Sequence, residues 1–129
     1  MMRVTRLGIV SFSALIILSG CPSVTGLTQW KERSLLSAAD PDKAFRGAAQ
    51  ALANVGQVKG TDPSLGAVTG ECAQDVDASV LVQQRNDGTW VVVKSKMNIP
   101  ANMMMLDSGQ RETCINRISD ELRKSGIVR

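Results

Sequence analysis

From Asp40 onward the hydrophobic positions change period several times, and each period predicts an element. Phe45, Ala48, Ala49, Leu52 and Val55 recur at helical spacing. Asp40 suits the N-cap, because its carboxylate accepts from backbone N–H groups that lack helical partners, and Pro41 suits the first helical position, where no N–H is needed. Gly56 would supply a left-handed C-terminal cap. The pattern predicts a helix over Pro41 to Val55. "GTDPSLG" then reads as turn chemistry, with Leu65 to Cys72 as a short strand weakened by Gly66 and Gly70.

Val76, Ala78, Val80 and Val82 alternate with Asp77, Ser79, Leu81 and Gln83, the period of a half-buried strand. "RNDGT" supplies a reversal in which Gly88 takes a positive φ. Thr89 to Met97, rich in β-branched residues, returns as the partner strand. At "DSGQ" Asp107 and Gln110 fit a variant capping box that opens a last helix. Cys114, Ile115, Ile118 and Leu122 form its apolar stripe, and Gly126 marks its end.

The predicted order is α-β-β-β-α. Connections this short make the strands antiparallel, since parallel neighbours need a long crossover. The expected fold is an α+β two-layer sandwich, a three-stranded antiparallel sheet flanked by two helices. Residues 40–129 would form this single domain, and residues 21–39 a tether whose scattered Leu27, Trp30, Leu35 and Leu36 are available to dock on the body.

Ahead of the tether stand Arg3 and Arg6, an uncharged apolar run from Leu7 to Leu18, and the small pair Ser19 and Gly20. That is the order of a secretory signal over residues 1–20. The run is about a dozen residues, short of the roughly 20 that cross a bilayer as a helix.

Leu18, Ser19, Gly20 and Cys21 resemble the lipobox of bacterial lipoproteins. The resemblance implies that the Cys21 thiol receives a diacylglycerol, that the leader is cut before Cys21, and that the new amino group takes a fatty acyl chain such as palmitate. It also implies a place in the cell envelope, on the periplasmic side of a membrane. Pro22 stands where an inner-membrane retention signal would carry Asp, which favours the outer membrane over the inner. Each buried methylene contributes about 0.8 kcal/mol, and stable anchoring takes more than one chain. The Phe45 to Leu52 helix, the "NDGTWVVVKSK" hairpin and the Ile115 to Leu122 stripe are similar to those of small single-domain envelope lipoproteins. That likeness implies an architecture and no activity.

Loss of the leader changes the charge argument. The chain has 15 Lys and Arg against 12 Asp and Glu, and removing Arg3 and Arg6 leaves a surplus of one cation. Nucleic-acid binding loses its support, because that function concentrates basic residues on one surface. Of three cysteines, lipid would claim Cys21 and leave Cys72 and Cys114 as a candidate disulfide in an oxidising compartment. The alternative is two buried thiols acting as small hydrophobes.

Histidine is absent. The usual general base near neutral pH, the imidazole metal ligand and the Ser-His or Cys-His nucleophile pairs are therefore missing. No phosphate-cradling loop, dinucleotide fingerprint or nucleophile elbow is present. Glu71, Asp75 and Asp77 cluster at one strand junction, but their spacing fits neither a calcium loop nor a catalytic pair, and solvated turn charges explain them. The expectation is a chain without catalytic activity, cofactor or metal.

Two stretches remain for recognition. If Val91, Val93 and Met97 face the helices, then Trp90, Val92, Lys94 and Lys96 line the opposite face and suit an acidic peptide, a glycan or lipid headgroups. The inverse parity would bury Trp90 and Val92 instead. Met103, Met104 and Met105, followed by Leu106, crowd a connection that is ordinarily polar; they either grip a partner or bilayer, or roof the core. The sequence thus points to a lipid-anchored binding or scaffolding module that meets an envelope protein. The alternative is an inhibitor or immunity protein for an envelope hydrolase.

Overall fold

The computed structural model describes residues 30–99 and 109–129. Cys21 with its lipobox, and Met103 to Met105, lie outside them. In chain order the elements are β1 (Trp30–Leu36), α1 (Pro41–Val55), β2 (Gln57–Asp62), β3 (Ala67–Ala73), β4 (Val76–Arg85), β5 (Gly88–Met97) and α2 (Gln110–Lys124).

The class is α+β, as the periodicity predicts, but the sheet has five strands rather than three, in the antiparallel order β1-β5-β4-β3-β2. The three-stranded expectation fails at both edges for a physical reason. On β1 the helix-facing positions are Lys31, Arg33 and Leu35, so no apolar alternation marks the strand. Their cationic ends reach α2 instead: Arg33 Nη2 pairs with Glu112 Oε2 at 2.8 Å, Arg33 Nη1 donates to Asn116 Oδ1 at 2.7 Å, and Lys31 Nζ lies 3.6 Å from Glu112 Oε1. The methylene stems are what these residues lend to the layer. On β2 only Val58 is apolar among "QVKGTD", and charged, glycine-bearing edge strands are how sheets avoid pairing with strangers. Thus Trp30–Leu36, within the stretch expected to be a tether, is an edge of the sheet.

The first helix runs from Pro41 to Val55, as its pattern predicts. Asp40 Oδ1 accepts from the Lys43 N–H at 2.8 Å, the N-cap bond expected of it. Gly56, however, has φ −154° and is no left-handed cap. A Cβ there would strike the Glu71 carbonyl and the Cys72 Cα, so glycine is needed for the close approach of α1 to β3. The second helix begins at Gln110 with Gly109 (φ 79°) in the cap position and no side-chain capping bond, while Asp107 lies outside the described residues.

Both helices lie on one side of the sheet, α1 over β2, β3 and β4 and α2 over β5, β4 and β1. Ala44, Ala48 and Ala51 keep α1 close to the strands. Between the layers sit Val68, Val76, Val80, Val91 and Val93 from the sheet, with Leu52, Ile115, Ile118 and Leu122 from the helices, all fully buried. Burying one such side chain is worth roughly 1.5–3 kcal/mol. The two buried hydroxyls among the described residues are satisfied: Ser95 Oγ donates to the Asp77 carbonyl at 2.9 Å, and Ser119 Oγ to the Ile115 carbonyl at 2.7 Å. Beyond Gly126 the chain turns back, Ile127 and Val128 bury themselves, and Val128 bridges to Ser37.

Cys72 and Cys114 lie at disulfide distance, with Cα atoms 5.7 Å apart. They join the end of β3 to the N-terminal part of α2, at the boundary between the layers. No helix among the described residues is long and apolar enough to cross a membrane.

Candidate functional site

Because side chains alternate across a strand, the burial of Val91, Val93, Ser95 and Met97 under the helices turns Trp90, Val92, Lys94 and Lys96 to the other face. No element covers that face among the described residues. Antiparallel register then adds neighbours. Trp30, Glu32, Ser34 and Leu36 of β1 stand beside Lys96, Lys94, Val92 and Trp90. On the far side of β5, Asp77, Ser79, Leu81 and Gln83 of β4 stand beside the same four residues in the same order.

The face has two regions. Toward the β4–β5 turn it is apolar: Leu36 is 52% exposed, Trp90 and Leu81 are half-buried, and Val92 between them is only 3% exposed. Trp90 Nε1 donates to Asp87 Oδ1 at 2.8 Å, and the Arg85 guanidinium stands 5.0 Å from the ring centroid. Those two contacts hold the ring in place on this face.

Toward the other end the face is charged with both signs. Trp30, 40% exposed, holds the Lys96 ammonium 5.1 Å and the Lys94 ammonium 5.9 Å from its ring centroid. Lys96 is followed across the strands by Asp77 on β4 and Glu71 on β3, and Glu71 Oε2 pairs with Lys59 Nζ of β2 at 3.1 Å. Trp30, Lys59, Glu71, Asp77 and Lys96 line a shallow groove of about 450 Å³. Two adjacent carboxylates, Asp77 and Glu71, thus lie between the cations Lys96 and Lys59, so the surface is zwitterionic rather than basic.

The three carboxylates singled out in the sequence do not share one pocket. Glu71 and Asp77 are direct cross-strand neighbours in the groove, whereas Asp75 occupies the β3–β4 turn at φ 61°, its carbonyl accepting from the Asn98 N–H at 2.7 Å. Among the described residues no group of three or more His, Cys, Asp or Glu is arranged to hold a metal ion. Among the described residues two carboxyls are held below their ordinary range, Asp62 at the β2 edge of the sheet and Glu121 on α2. Asp62 is lowered chiefly by the Ser64 hydroxyl, which donates to it at 2.6 Å. Glu121 is lowered chiefly by the Asn54 amide, at 3.1 Å, and then by Lys124.

Trp90, Lys94 and Lys96 do stand together on one face. Sequence reasoning missed Trp30 and Glu32, which join them from a strand it did not read. The available signal was a seven-residue stretch without Gly or Pro in which Trp30 and Leu36 fall on one parity. Comparison with protein-family models, curated proteins and solved structures finds no match.

Proposed function

We propose that this chain is a lipid-anchored binding or scaffolding module without catalytic activity, held on the periplasmic side of a bacterial envelope membrane. The observation that carries the reading is the one-sided sheet. Both helices pack on a single face, and among the described residues the other presents Trp30, Trp90, Lys94 and Lys96 around a shallow, open groove. A flat, rigid, aromatic and charged surface suits docking of a protein.

The lipobox resemblance at Cys21 supplies the anchor, and the pairing of Cys72 with Cys114 fits a compartment in which disulfides form and persist. Pro22 beside Cys21 favours the outer membrane as the address. The test is fractionation of cells expressing the full chain or Cys21→Ser, with metabolic labelling by a fatty acid. The reading expects label and membrane pelleting for the parent chain and neither for the variant. Equal pelleting of the two, without label, would overturn it.

A further inference from the structure

We propose that the occupant of the open sheet face is a second copy of this chain, packed face to face about a two-fold axis that runs parallel to the strands between β4 and β5. This rests on the reading of that face as the docking surface and names what docks there.

The argument comes from the order of charges across the sheet. An isologous interface must be complementary to itself. On this face Lys96 of β5 and Asp77 of β4 are cross-strand neighbours, as are Val92 and Leu81. A two-fold along the strand direction, placed between β5 and β4, keeps each row level and exchanges the two strands. Lys96 then faces Asp77 of the second copy, and Asp77 faces Lys96 of the second copy. Further along the strands, Val92 and Leu81 face Leu81 and Val92. Sheets stacked this way pack about 10 Å apart with strand directions within about 30°. An extended lysine opposite an aspartate spans that gap.

Other partners fit less well. An acidic surface would meet Asp77 and Glu71, and a basic one would meet Lys94 and Lys96. Among the described residues, Asp77 and Lys96 form no ion pair within the chain, so both keep their charge for a partner. The apolar region also gains, since Leu36 and Trp90 leave solvent in the same step.

The same axis solves a second geometric requirement. Rotation about a line parallel to the strands preserves strand direction, so both copies of β1 begin at the same end of the pair. The segments that precede Trp30 would leave side by side, as two chains anchored in one bilayer must. Confinement to one membrane raises the effective concentration of the copies without any new contact.

The test is charge exchange in the native envelope, using full-length chains that carry two different epitope tags. Tagged parent copies are expected to co-purify after detergent extraction. Asp77→Lys alone sets the introduced lysine against Lys96 of the other copy, and Lys96→Glu alone sets the introduced glutamate against Asp77. Each variant should therefore lose self-capture by roughly tenfold or more. Co-expressed, an Asp77→Lys copy and a Lys96→Glu copy pair the introduced charges with each other, and their mutual capture should recover. That recovery also shows that both variants fold. Self-capture of either variant at the parent level, or no recovery in the mixed pair, overturns the inference.

A photocrosslinking phenylalanine analogue at position 79, the centre of the face, separates this inference from the reading beneath it. A crosslink between two copies supports both. A crosslink to a different protein overturns the second copy and leaves the docking surface standing, and the absence of any crosslink overturns both.

Discussion

Opening the link between Cys72 and Cys114 should cost the domain a large share of its stability. The two residues are separated by 42 positions, and closing a loop of that length removes entropy from the unfolded chain worth roughly 4 kcal/mol. Domains of this size have about 5–15 kcal/mol in all. Both residues are buried, Cys72 at 8% and Cys114 at 2% exposure, so the bond is reduced by unfolding the protein and refolding it with a thiol present. Urea titration of the oxidised and the reduced forms then compares chains with the same atoms except two hydrogens. With a urea slope of about 1–3 kcal/mol per molar, the midpoint should fall by roughly 1.3–4 M. Far-UV circular dichroism should keep its native shape, because Ile115, Ile118 and Leu122 still hold α2 on the sheet. Coincident midpoints would refute the reasoning, since they would mean that the native state is strained by as much as the unfolded state is constrained.

Gly56→Ala should destabilise by about 1–3 kcal/mol, read as a lower denaturation midpoint, because the new methyl meets the backbone of Glu71 and Cys72 rather than a movable side chain. An unchanged midpoint would mean that the end of α1 can lift away from β3. Glu121 gives a pH effect whose sign follows from its lowered pKa. Its bond to Asn54 contributes fully above the ordinary glutamate range and is lost as pH falls through the lowered folded value. Stability of the parent should therefore decline on acidification more than that of Glu121→Gln, and parallel pH profiles of the two would contradict the assignment.

The helices and the central hairpin were legible because their burial is one-sided and regular. Asp40, Pro41 and the alanine stripe define α1. Val76 to Val82 alternates as a half-buried strand must, and the turn at Asn86 and Asp87 closes where Gly88 is available at φ 132°. The β2 edge was illegible because Val58 is its one apolar residue, and the β1 edge because its inward positions hold long cations: Lys31 and Arg33 reach to Glu112, a contact between residues 79 apart in the case of Arg33. Nothing local announces such a contact. The candidate site was half readable for the same reason. Parity assigned Trp90, Lys94 and Lys96 to one face, but the mixed charge and the second ring on it depend on Trp30, Glu32 and Glu71, which register alone brings alongside.

The knot of contacts at Ser37 has a bearing on when the molecule can assume its shape. The Ala38 N–H donates to the Ile127 carbonyl at 2.7 Å, Ser37 bridges Val128, and Ile127 fills the space left by Gly47. Strand β1 is also zipped to β5, some sixty positions downstream by register. Such distant pairings make for slow maturation. A nascent polypeptide that has not yet reached residues 127 and 128 lacks this latch at Ser37 and Ala38, and until then β1 is held by its ladder with β5 and by the reach of Arg33 to Glu112.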